Sequence, residues 1–155
     1  MEGQLILRPA TRADVPALRA MLQKLSDHDG GSYPVASEAA LLAGGFGPRP
    51  LYRAVIAEED RPFGMAIYYP DFSTHRGEPG LYIQDIWVEP KMRGHGLGRK
   101  LMAAALAQQD WGARYVVLGV SPDNITASGF YERLGFVRRG YEMMILTGAA
   151  AQALT

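Results

Sequence analysis

The chain has no cysteine, which excludes disulfides, thiolate metal sites and a cysteine nucleophile and leaves the redox compartment open. It has no net charge either, because sixteen basic residues stand against sixteen acidic ones. No overall field draws it to nucleic acid or a membrane, and neither is expected as a partner. No apolar run approaches the roughly 20 residues that span a bilayer. The opening MEGQLILRPATRADV lacks a cationic stretch followed by a long apolar one, so a cytoplasmic location is expected. What is present is a globular composition, 48% apolar and 21% charged over 155 residues. At roughly 100 to 200 residues per domain, that length predicts one domain, residues 1–155. Glycine is plentiful at 18 residues, and several crowd into one window.

Hydrophobic spacing orders the rest of the chain. Leu5 to Leu7 is a short apolar run, and Thr11 stands three positions before Asp14, a capping-box variant that opens a helix. Leu18, Met21, Leu22 and Leu25 then recur at helical spacing until Ser26-Asp27-His28-Asp29-Gly30-Gly31, which reads as a flexible polar loop. A second short helix follows Ser37 and stops at Gly44-Gly45. Tyr52 to Ala57 and Phe63 to Tyr69 read as an antiparallel hairpin, and Asp71 to Gly80 as a polar segment. Leu81 to Val88 is an eight-residue strand candidate. Leu97, Leu101, Met102, Ala105 and Leu106 mark a helix, and Tyr115 to Val120 a strand buried on both faces. A short helix over Thr126 to Leu134 and a last strand over Tyr141 to Leu146 precede a peripheral tail, residues 147–155. A meander followed by alternation implies a mixed α/β fold on one sheet.

The chemistry concentrates between Val88 and Lys100. Gly94, Gly96 and Gly98 let backbone amides approach a ligand, and the following helix points its positive end at the same place. That construction suits phosphate, and Arg93, Arg99 and Lys100 add cations; the plainer reading is a glycine-rich turn with solvated charges. The Rossmann spacing G-x-G-x-x-G and the phosphate-loop spacing both fail here.

Arg93, Gly96 and Gly98 do form R-x-x-G-x-G, which resembles the acetyl-coenzyme A motif of the GNAT superfamily of N-acetyltransferases. Downstream, Asn124 followed by Ala127, Phe130, Tyr131, Gly135 and Phe136 resembles that family's second signature. Upstream, Gly45 to Tyr52, Met65 to Tyr69 and Leu81 to Val88 are similar to the spermidine/spermine (diamine) N-acetyltransferase branch. The resemblance covers about residues 5 to 146. It implies a mostly antiparallel mixed sheet of about six to seven strands, flanked by about four helices. It also implies acetyl-coenzyme A as donor substrate, no metal, a small primary amine as acceptor, and a homodimer. Carried over, Ile86 and Val88 give backbone contacts to the pantetheine arm, and Asn124 touches it. Arg93, Gly94, Gly96, Gly98 and Arg99 cradle the pyrophosphate, and Tyr131 protonates the leaving thiolate. Tyr131 also reads as an aromatic packed under a helix.

One position departs from the pattern. The diamine branch carries a glutamate general base where this chain has Gln84, and glutamine accepts no proton at neutral pH. Either the amine arrives deprotonated through a water chain ending elsewhere, or Asp85 substitutes, ahead of Asp27, Asp29 and Glu142, although strand alternation turns it away from Gln84, Ile86 and Val88. By the same resemblance Asp27 and Asp29 hold a second ammonium of the acceptor; otherwise they belong to a solvated loop. His75 and Arg76 disfavour a long polycation, so a shorter amine or a lysine-like amino acid fits as well as a polyamine. His95 receives no catalytic role. Acetylation of a protein or peptide amine is the alternative within enzymes, and a non-catalytic acyl-coenzyme A sensor the alternative outside them.

Overall fold

A computed structural model describes residues 3–31 and 33–155 and divides into two compact units, Met1–Gly119 and Val120–Thr155. All five strands among the described residues lie in the first unit. They are β1 (Ile6–Pro9), β2 (Arg53–Glu59), β3 (Arg61–Ser73), β4 (Glu78–Val88) and β5 (Val116–Leu118). Their spatial order is their chain order, antiparallel through β4 and parallel between β4 and β5. The parallel pair needs a crossover, and α3 (Leu97–Gln108) supplies it.

Each face of the sheet is covered by a helix. α1 (Val15–His28) lays Leu18 and Met21 on Ala54, Ile56, Met65, Ile67 and Trp87, and α2 (Glu38–Phe46) follows it. Opposite, Leu97, Leu101, Met102 and Ala105 of α3 are buried, with Leu101 beside Gly64 and Ala57. Leu18 is fully buried, so its truncation to alanine costs about 2–5 kcal/mol.

The capping box forms as the spacing predicts. The Thr11 amide donates to Asp14 Oδ2 at 2.7 Å, a 3-10 turn (Arg12–Asp14) follows, and α1 begins at Val15. Asp14 is also held by Arg8, whose Nη1 and Nη2 donate to its two oxygens at 2.7 and 2.9 Å. Arg8 bridges onward to Glu58 at 2.9 Å.

Several expectations change. α1 continues through Ser26, Asp27 and His28, because Asp29 N donates to Leu25 O and keeps the last turn closed. The polar segment after residue 70 forms the far arm of the β3–β4 hairpin, where Asp71 pairs with Gly80 and Ser73 with Glu78. β5 is three half-buried residues rather than a fully buried strand, since β4 pairs with it only from Leu81 to Ile83. Among the described residues the sheet therefore has five strands, slightly fewer than the six to seven expected, and there are five helices where about four were expected.

The second unit contains α4 (Ile125–Arg133) and α5 (Gly148–Gln152). The strand expected over Tyr141 to Leu146 does not form; Tyr141, Met143, Met144 and Ile145 are exposed. A strand needs a neighbouring edge to satisfy its backbone, and the described residues of this unit offer none.

Candidate active site

Strand β4 organises the site because its two edges differ. One edge pairs with β3 along nearly its whole length, whereas the other loses β5 after Ile83, so that among the described residues no strand pairs with 84–88 there. An extended ligand with amide groups can add at such an edge.

A bulge decides where the side chains go. Ile67 pairs with Asp85 and Tyr68 with Ile83, so Gln84 has no partner and its side chain is exposed. Asp85 thereby shares a face with Trp87, Ile67 and Met65, the face covered by α1, and the same slip brings Tyr82 onto it beside Tyr69. The Tyr69 and Tyr82 rings stack with centroids 5.0 Å apart.

Beyond β4, a 3-10 turn (Pro90–Met92) leads into the glycine loop. Gly94 and Gly96 have φ of 87° and 71°, a region that side-chain-bearing residues rarely adopt. A Cβ on either would meet no atom within 4 Å, so glycine is required by conformation, not by crowding. Gly96 caps α3 and, being glycine, offers no side-chain acceptor to its first amides. The amides of Leu97, Gly98 and Arg99 therefore stand at an open, positively polarised end with Arg99 and Lys100 exposed around it. This geometry fits a pyrophosphate.

The exposed Arg93 side chain folds back along β4. Its Nε donates to the Val88 carbonyl at 2.8 Å, and its guanidinium lies 4.6 Å from the Trp87 ring centre. Its side chain fastens the loop to β4. Lys24 of α1 pairs with Glu89, just past the end of β4. The Trp87 ring meets His28 edge-on at 6.0 Å, and its Nε1 is buried without an acceptor.

Asp85 is half-buried, and no cation or hydrogen-bond donor holds its carboxyl among the described residues. Burial first, and the nearby charge of Asp29 second, push its pKa up to about 6. A carboxylate with that value accepts a proton near neutral pH far better than an ordinary one. Asp29, the residue that ends α1, is thus brought to Asp85. Asp27 is not; it lies inside α1 and accepts from Gln23 at 3.0 Å.

Asn124 and Tyr131 belong to the second unit. Asn124 caps α4, its Oδ1 accepting from the Ala127 amide at 3.1 Å. The Tyr131 ring packs between Phe130 and Phe136, with centroids at 5.3 and 5.6 Å. Glu142 lies in the exposed stretch after it.

Four residues of the β4 face escaped sequence reasoning: Tyr69, Asp71, Tyr82 and Trp87. Strict alternation assigns Tyr82 to the face of Gln84, and only the bulge turns it to that of Asp85. Tyr68 and Tyr69 are adjacent, so one of the two must fall on each face of the strand, and that was the available signal.

Residues 18–136 match the Acetyltransferase (GNAT) family. The chain is 32% identical to the thialysine N-epsilon-acetyltransferase of Bos taurus, over 84% of this chain and 82% of that protein. Among solved structures, an integron cassette protein from V. cholerae superposes with a TM-score of 0.77 at 22% identity, over 97% of this chain and 96% of that one. An aminoglycoside N-acetyltransferase in complex with coenzyme A gives 0.74 at 20% identity, over 94% and 95%. The open β4 edge and the glycine-loop helix define a coenzyme-binding acyltransferase. The chain belongs to the GNAT acetyltransferase family and is an acetyl-coenzyme A-dependent N-acetyltransferase.

Proposed function

We propose that this enzyme acetylates a primary amine of a small molecule by direct attack within a ternary complex, with Asp85 as general base. The observation that carries the reading is the unpaired Asp85 carboxyl, raised to about 6 on the face of β4 just past the bulge. The substrate of the bovine relative, a lysine analogue by its name, supports a small amine.

The pantetheine arm adds along residues 84–88 of β4, where Ile86 and Val88 offer backbone groups, and Asn124 contributes to its binding. The pyrophosphate sits on the amides around Gly94, Gly96 and Gly98, with Arg99 beside it. Asp85 takes the proton that the amine sheds as its nitrogen bonds to the thioester carbon. The C–N bond forms, the C–S bond breaks, and Tyr131 gives its proton to the departing thiolate. Gln84, at the bulge, positions the acceptor by hydrogen bonding and transfers no proton. Holding both reactants in line supplies several kcal/mol of the acceleration, about 7 or more in well-oriented cases. Both units act as one domain spanning 1–155, a reading supported by a family match that crosses residue 119. We place the enzyme in the cytoplasm as a homodimer, by kinship with diamine acetyltransferases; light scattering tests the dimer.

The experiment is thiol release from acetyl-coenzyme A across a panel of diamines, polyamines, lysine, thialysine and peptides. Release with a small amine, rising with pH through about 6, is the expected result. Release with peptides alone moves the acceptor to protein. Binding of acetyl-coenzyme A with no release under any acceptor makes the protein a sensor.

A further inference from the structure

We infer that the cleft between the ends of α2, β1 and α3 and the start of β2 is a second binding site, for a flat apolar molecule that carries one hydroxyl. It lies outside the acetyl-transfer site and is independent of how that site works.

One side of the cleft is apolar. Pro9, Ala10, Phe46, Pro50 and Tyr52 line a space of about 340 Å³. That volume falls within the range of small-molecule sites, roughly 300–1,000 Å³. The Phe46 and Tyr52 rings meet edge-on with centroids 6.2 Å apart, an aromatic corner that suits a flat ring. The corner is held in place from behind. The Tyr52 hydroxyl donates to the Leu41 carbonyl at 2.6 Å, and Arg12 Nη2 donates to the Phe46 carbonyl at 2.8 Å.

The other side is polar and unfinished. Tyr68, Arg53 and Gln108 line it. Tyr68 is 1% exposed, and its hydroxyl has no hydrogen-bond partner among the described residues. Burial raises the pKa of that hydroxyl, Arg53 lowers it and Asp110 raises it, so the hydroxyl stands at the Arg53 end of the cleft. Gln108 Oε1 is buried and accepts no hydrogen bond there, and its terminal torsion is soft enough for the amide to turn. Arg53 brings no net charge, because it pairs with Asp110 at 2.9 Å and lies over the Trp111 ring at 5.2 Å.

The cleft therefore offers one unused donor and one unused acceptor beside an apolar corner. A buried polar group without a partner is costly, and natural folds keep few of them. One hydroxyl serves both at once, accepting from Tyr68 and donating to Gln108 Oε1. A carboxylate cannot donate and an ammonium cannot accept, and the neutralised Arg53–Asp110 pair attracts neither. The occupant is also kept apart from the chemistry. Tyr68 points to the face opposite Ile67 and Tyr69, whereas the partner of Ile67 is Asp85.

Calorimetry on the whole protein tests this with 4-methylphenol, its methyl ether and toluene. The phenol donates and accepts, the ether only accepts, and toluene does neither. The phenol should bind about tenfold more tightly than the ether, which leaves Gln108 unpaired, and toluene should bind more weakly still. Tyr68→Phe keeps the ring and discards a hydroxyl that the fold does not bond. It should weaken the phenol about tenfold, leave toluene within about twofold, and not lower Tm. Gln108→Met keeps the length and removes the acceptor, so the phenol should fall to the level of the ether. Saturating acetyl-coenzyme A should displace none of the three. Equal affinity for all three probes, no binding of any, or a phenol affinity unchanged in both variants overturns the site. Displacement by acetyl-coenzyme A overturns it too, because the probes then sit where acetyl transfer occurs.

Discussion

Two aspartates lie at the two ends of α1, and they are opposite in everything but residue type. Asp14, at the entry, is buried, and Arg8 grips both its oxygens while the Thr11 amide adds a third bond. Its pKa is lowered, chiefly by the Arg8 hydrogen bonds. Asp85, beside the exit, is half-buried with no cation holding it among the described residues, and the charge of Asp29 repels it. Its pKa is raised. A buried carboxylate that is fully satisfied fixes a joint between β1, β2 and α1, whereas one left unsatisfied is held ready for a proton. Burial alone does not separate structure from chemistry; the partners do.

Asp85→Asn breaks the comparison most forcefully, because asparagine keeps the shape and removes the base. Turnover should fall 10²- to 10⁴-fold, the usual contribution of a general base, and the rise of activity through pH 6 should vanish. The same substitution should stabilise the fold. A carboxyl raised on folding contributes most below its ordinary value near 4, and that contribution is lost as pH rises through about 6. At pH 8 the variant should therefore exceed the native protein by up to about 3 kcal/mol, the two converging below pH 4. Denaturant titrations at several pH values measure this, and a variant less stable than native at pH 8 would contradict it.

Asp14→Asn should do the reverse with a smaller effect. Losing the charge opposite Arg8 costs about 2 kcal/mol, discounted because Arg8 is partly exposed, and lowers Tm by about 5 °C. The kcat of the folded enzyme should stay within about twofold. Because the folded pKa of Asp14 is depressed, its contribution is complete above about pH 4 and disappears as pH falls through the folded value. The gap between native and variant should thus close in acid, opposite in sign to the Asp85 case. A gap that is constant with pH would assign the loss to packing rather than charge.

The two ends of α1 were not equally legible in the sequence. Asp14 announced itself, since a threonine three positions before a carboxylate is a local pattern, and the structure forms that box. The glycine loop was legible for the same reason: Gly94 and Gly96 answer a backbone demand that sits within a few residues. The helical and strand segments between Val15 and Gln108 also came through, apart from the last turn of α1 and the far arm of the β3–β4 hairpin, because period and burial are local. Asp85 could be named but not placed, because its surroundings come from Asp29, Tyr69 and Trp87 across the fold and from a bulge that no periodicity announces. The strand expected at Tyr141 failed on the same ground: alternation proposes a strand, but only a neighbouring edge makes one.

The smallest effect tests the cause of the raised Asp85 pKa. Burial is the larger contribution and the Asp29 charge the lesser, so Asp29→Asn should move the acidic limb of the kcat/KM profile downward by well under one pH unit. Asp29 is exposed, and solvent and salt screen what it does. The shift should therefore shrink as ionic strength rises in the native enzyme, whereas the part due to burial should not. If Asp29→Asn instead returns the limb to near 4, repulsion rather than burial holds Asp85 ready, and the two ends of α1 differ only in the sign of a neighbouring charge. If the limb stays near 6 with a small, salt-sensitive offset, the α1-covered face of β4 itself makes Asp85 a base.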